Sequence, residues 1–198
     1  FFRFGKLIAG RIFQLPTIMQ GLVEQGPLVP YKLPPLAQSR SGYFSMEKTS
    51  KVSPHFTLGE LCRSQTAERL GIENMPDEEQ LECLKLVAEA VLEPTRIHFK
   101  TPFAPNSAFR CLKLNKAVGS SDKSQHCKGQ AIDFEIAGMS NEEVARWVKE
   151  NLDFDQLILE FYDGVDPNSG WIHVSYVSEE ENRNESLVYN KSGYSLFE

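Results

Sequence analysis

The chain has 198 residues, 41% of them hydrophobic and 24% charged, with a formal net charge of −6. That is enough chain for one good core plus appendages, and an ordinary globular composition. The acidic balance argues against nucleic acid as the main partner, since phosphate binding calls for a positive surface.

Residues 1–45 differ in character from the rest. Arg3, Lys6, Arg11, Lys32 and Arg40 stand against the single acid Glu24, and Pro16, Pro27, Pro30, Pro34 and Pro35 favour an extended path. This stretch has too few periodic apolar positions to build a core. We read it as a basic, proline-rich arm or linker suited to docking on a larger assembly, with the compact domain spanning 46–198. The opening FFRFGKLIAGRIF is broken by charges and lacks a clean apolar centre and cleavage site, so it is not read as a signal peptide. No run approaches the ~20 apolar residues of a membrane span.

Thr57 with Glu60 fits a capping box and opens a helix running to about Leu70, closed by Gly71. Pro76 and Asp77 open a second helix with an inward stripe of Leu81, Leu84, Ala88 and Val91, which Pro94 should kink or end. Ser140 and Glu143 form another capping box before a helix that turns Val144, Trp147 and Val148 inward. Strands are expected over 131–136, 155–161 and 171–177. In the last, Trp171, His173 and Ser175 share one face, and Ile172, Val174 and Tyr176 the other. DGVDPNSG (163–170) is rich in turn formers and reads as a hairpin loop. The acidic run over 179–185 reads as a solvated segment. The elements describe a small α+β domain with an antiparallel sheet and flanking helices.

The cysteines Cys62, Cys83, Cys111 and Cys127 form no CxxC pair and are read as free thiols. His55 and His98 are read as surface or packing residues. His126 and Asp133 lie in SSDKSQHCKGQAIDFEI, where a loop enters a strand. Gly129 lets the chain turn back, and Ala131 keeps the face it shares with Asp133 small. If the strands pair, His173 can meet His126 and Asp133. Two imidazoles and one carboxylate leave an open position on a tetrahedral ion, the catalytic pattern for Zn²⁺, although other divalent ions accept the same set. The alternative at each position is a histidine hydrogen-bonded or packed for structure alone.

SQHCKGQAID matches the SxHxxGxAxD signature of the D-Ala-D-Ala carboxypeptidase family of metallopeptidases, which includes phage endolysins, and WIHVSY resembles its second signature. FTLGEL, TAERLGIENMP, LEPTR and AFRCLKLNKAVGSSDKSQH extend the resemblance over about 54–178, to the subgroup defined by the family's C-terminal peptidase domain. The resemblance implies a hedgehog/D-Ala-D-Ala-peptidase-like fold. It also implies a Zn²⁺ held by His126, Asp133 and His173, and a substrate in bacterial peptidoglycan stem peptides, met at the cell wall or from a virion. It makes Ser124 a local hydrogen-bonding residue of the site loop and Arg110 a substrate contact, with a structural ion pair as the alternative for Arg110. Trp171 would wall the cleft. Many relatives carry ExxH, with Glu as general base, but Gly170 stands three residues before His173. Glu160 is the expected replacement, with Asp163 and Asp166 as runners-up. A thiolate is also a good zinc partner, but Cys127 is not needed to complete the set. The missing ExxH acid also motivates a second reading, a non-catalytic zinc-containing module that binds wall peptides or a partner protein.

Overall fold

The computed structural model describes residues 47–198. The arm expected over 1–45, and the boundary at 46, lie outside the described residues. Among the described residues no helix is long and apolar enough to cross a membrane.

The first expected helix forms as two. Thr57 caps α1 (Leu58–Leu61) through a full capping box with Glu60. The chain then breaks, and Ser64 caps α2 (Gln65–Leu70), which ends at Gly71 in the left-handed region. Two serviceable cap residues so close together make two short helices where one was expected. The next helix passes its proline. α3 (Glu78–Val87), capped by Asp77, runs through a π-helical turn (Ala88–Leu92) straight into α4 (Glu93–Phe99). Proline lacks an N–H and clashes with the carbonyl four residues back. The wider π turn ends just before Pro94, which then occupies the first turn of α4, where no N–H is required. α5 (Leu112–Ala117) and a 3₁₀ turn (Gln125–Lys128) precede the sheet. α6 (Asn141–Asn151) starts at Ser140, whose hydroxyl accepts from the Glu143 N–H, one half of the expected box. Val144 and Val148 are buried as expected. Trp147 is half-buried and stacks on His98, ring centres 4.3 Å apart.

Among the described residues five strands form one sheet, β1 (Ala131–Phe134), β2 (Gln156–Glu160), β3 (Trp171–Ser175), β4 (Glu185–Asn190) and β5 (Gly193–Leu196), in the order β1-β3-β2-β4-β5. β1, β2 and β3 pair antiparallel as expected. The sheet as a whole is mixed, because β4 lies parallel to β2 and the β4–β5 hairpin extends it by two strands. The acidic turn at 179–181 remains exposed, and the chain re-enters the sheet beyond it. One face of the central strands, with Ile132, Phe134, Leu157, Leu159, Ile172 and Val174, packs on Leu84, Val87, Val91, Val144 and Val148 of the helices. By strand parity the other face carries Asp133, His173, Ile158 and Glu160. Every residue with metal-binding or acid–base chemistry on these strands therefore points away from the core.

Candidate metal centre

Three elements bring the donors together. The 3₁₀ turn presents His126, β1 presents Asp133, and β3 presents His173 directly across from Asp133. Asp133 Oδ1 lies 2.8 Å from His173 Nδ1 and 3.2 Å from His126 Nε2, and the imidazole centres are 5.2 Å apart. One ligand atom from each residue lies within 4.8 Å of the others. All three side chains are buried. The donors of a tetrahedral Zn²⁺ with bonds of ~2.0–2.2 Å are separated by about 3.4 Å. The set therefore fits such an ion with small adjustments.

Each ligand is held from behind. His126 Nδ1 lies 2.6 Å from the Ala108 carbonyl, which fixes the tautomer and leaves Nε2 for a metal. Burial lowers the pKa of His126 against the pull of Asp133, favouring the neutral ring that a metal requires. Asp133 is gripped twice. Its backbone exchanges hydrogen bonds with Ser107, and Arg110 Nη2 donates to Oδ2 at 2.9 Å. Burial works to raise its pKa, but His126 and His173 outweigh that and hold the carboxyl well below the usual range.

Arg110 also donates from Nε to Ser107 Oγ at 2.9 Å, and its backbone N–H donates to the His126 carbonyl at 3.1 Å. Its Nη1 makes no hydrogen bond among the described residues. The strip 106–111 is itself anchored by buried Asn74, which donates to the Cys62 and Phe109 carbonyls and accepts from the Cys111 N–H. Ser107, Ala108 and Asn74 were not found by sequence reasoning. Ser107 and Ala108 act largely through backbone atoms, which leave no residue-type signal, and the Asn74 side chain bonds backbone groups of two segments distant in sequence.

The donors open into a cavity of about 380 Å³ lined by Arg110, Ser124, Glu160 and Trp171, with Gln125, Gln156 and Tyr194 among its other walls. Ser124 sits on this wall, but its hydroxyl makes no cap bond. Instead its carbonyl accepts from the Cys127 N–H at 3.0 Å. Trp171 leans on Phe161, ring centres 4.9 Å apart, and its buried indole N–H has no partner among the described residues.

Glu160 stands opposite Trp171 in the β2–β3 register, and its Oε1 lies 4.0 Å from His173 Nδ1. Burial raises its pKa and the neighbouring Asp133 charge adds to this, with His173 and Arg110 opposing. Asp163 and Asp166 are exposed in the β2–β3 loop, where their carboxylates accept from loop N–H groups. They are not at the cavity. Cys127 borders a separate small cavity with Cys83 and Gln80. His55 pairs with Glu93 at 2.6 Å and does not line this cavity.

Gly170 has its own structural reason. Its φ is +69°, and a Cβ there would stand 1.7 Å from the Glu160 carbonyl oxygen. No side chain fits at this position, so an ExxH acid has no room, and the nearest carboxylate comes from the partner strand. Gly129 is similarly constrained, since a Cβ would lie 2.3 Å from the Gln80 carbonyl where α3 crosses the site loop.

Two imidazoles and a carboxylate, buried at the base of an open cavity with a second carboxylate beside them, define a metallopeptidase-type centre. The chain belongs to the Peptidase M15 family, whose profile matches residues 54–175 and so spans all three donors, Arg110 and Glu160. Comparison with curated proteins returns no significant match.

Proposed function

We propose that this protein is a zinc peptidase that hydrolyses a peptide bond in bacterial peptidoglycan stem peptides, as a D-Ala-D-Ala carboxypeptidase or an endolysin-like endopeptidase. Its place of action is the cell wall, reached from the periplasm, the exterior or a virion. The observation carrying this reading is the convergence of His126, Asp133 and His173 beside Glu160.

His126, Asp133 and His173 would hold the ion. Zinc, when bound there, supplies a Lewis acid for the scissile carbonyl and acidifies water. The chain's own residues do the rest. Glu160 accepts a proton from the attacking water and delivers it to the leaving amine, a role that its raised pKa suits. Arg110 holds a substrate carboxylate with the donors not committed to Asp133 and Ser107, because a guanidinium can clamp a carboxylate with two hydrogen bonds. Ser124 and Trp171 wall the bound peptide.

The reading as a non-catalytic wall-binding module drew its motive from the missing ExxH acid. The Glu160 carboxylate at the cavity supports the catalytic reading over this one. The test is metal analysis of the purified protein together with digestion of stem peptides and whole sacculi, read by mass spectrometry. One zinc per chain and a released D-Ala or cut stem peptide are expected. No product from either substrate overturns the reading.

A further inference from the structure

The site face of the sheet does not stop at the three donors. Its register runs Trp171↔Glu160↔Tyr189↔Tyr194 across β3, β2, β4 and β5. Partners in register share a face, so this row continues the face that holds Asp133 and His173. Three strand spacings of ~4.8 Å carry it about 14 Å, the reach of about four extended residues at ~3.4 Å each. The row is largely aromatic. Phe161 bridges Trp171 and Tyr189, with ring centres at 4.9 and 5.4 Å, and Tyr189 contacts Tyr194 at 4.7 Å. Tyr194 lines the same cavity as Glu160 and His173, yet is 64% exposed. A packing role alone does not account for a large ring left in solvent at the rim of a reactive cavity.

The two ends of the cleft differ. Arg110 hangs from the outer edge of β1, through Ser107 and Asp133. Tyr194 stands on β5, the opposite edge. With the donors between them, a peptide that gives its C-terminal carboxylate to Arg110 sends its N-terminal part over the rings. The β4–β5 hairpin also lies beyond the residues matched by the family profile, which end at 175.

We propose that the C-terminal hairpin is a substrate-selecting extension of the cleft. Tyr194, backed by Tyr189, holds the residues N-terminal to the scissile bond of an extended peptide, and so makes the enzyme prefer long stem peptides to minimal ones. This rests on the peptidase reading and on Arg110 taking the carboxylate. The rings offer flat, stiff apolar surface to peptide backbone and aliphatic side chains at small entropic cost.

The test compares kcat/KM for a pentapeptide ending in D-Ala-D-Ala with that for an acetylated tripeptide of the same ending, using the zinc-loaded full chain. In Tyr194→Ala the long-to-short ratio should fall about tenfold, chiefly through KM, as loss of one good aromatic contact allows. Tyr194→Phe should restore most of the ratio, since it keeps the ring. An unchanged ratio in Tyr194→Ala overturns the proposal, as does an equal loss on both peptides. Should the wild type cleave neither peptide, the carboxypeptidase form of the peptidase reading fails separately, and binding decides the extension. Pentapeptide titrated into the zinc-loaded chain, followed by tryptophan fluorescence, should bind more weakly to Tyr194→Ala than to wild type. Equal affinity, or no binding to the wild type, overturns it.

Discussion

The two faces of the sheet obey different rules. The helix-side face is apolar and complementary, with Leu157, Leu159, Ile172 and Val174 all fully buried. The opposite face gathers a buried carboxylate, two imidazoles and a second carboxylate of raised pKa. Burying such groups together costs free energy unless each is hydrogen-bonded or charge-matched. The first face secures the fold. The second spends part of that stability to keep reactive groups close, and it survives because Arg110, Ser107 and the Ala108 carbonyl satisfy them from behind.

This contrast can be broken one face at a time. The largest effects belong to activity. Glu160→Gln should retain stoichiometric zinc and lose ~10²–10⁴ in kcat, the range for loss of a general base, measured on the stem pentapeptide. Asp133→Ala should lose both zinc and turnover, which metal analysis would detect. Retained turnover in Glu160→Gln would remove it from the mechanism. On the other face, Leu159→Ala should cost ~2–5 kcal/mol of stability, read by urea unfolding, with little change in zinc stoichiometry of the folded protein. Gly170→Ala joins the two faces, because a Cβ there must push against the Glu160 backbone. It should cost ~1–3 kcal/mol in backbone strain and lower kcat by displacing Glu160. A fully active, stable Gly170→Ala would refute the crowding argument.

The smallest effect is on acid stability. Hydrogen bonds from Arg183 Nε and Nη2, both 2.6 Å, and from Gln125 hold the pKa of Asp155 below its ordinary value. A carboxyl depressed in the folded state binds its proton more weakly there than in the unfolded chain. Its stabilisation is thus complete above the ordinary carboxylate range and disappears as pH falls through the lower, folded value. Asp155→Asn should therefore flatten the loss of thermal stability as pH falls through and below the ordinary carboxylate range. An unchanged slope would assign acid lability to other groups, such as Glu93.

Much of the centre was legible because its residues are few, chemically distinctive and held in short local patterns. His126 and Asp133 fall in one motif, and His173 in an alternating strand whose parity names its face. Glu160 could be inferred because a hairpin register is fixed by its two strands. What stayed hidden works at a distance or without side-chain identity. Ala108 contributes a carbonyl that any residue could offer. Asn74 reads like any loop asparagine until the chain folds over it. The parallel β2–β4 pair joins segments separated by β3 and an acidic turn, so no local pattern announces it, and Tyr194 was missed with it. The π turn before Pro94 was not legible, because a proline's cost depends on the turn before it and a wider turn alters that cost.

The strip from Asn106 to Cys111 supports several parts at once. It orients one imidazole, pins the carboxylate from both its backbone and its side chain, and carries the guanidinium, all while clamped by one asparagine. Such a bracket makes the centre a single casting rather than an assembly of separate fittings. Anyone transplanting the three donors to another sheet would have to carry this strip and its clamp along with them.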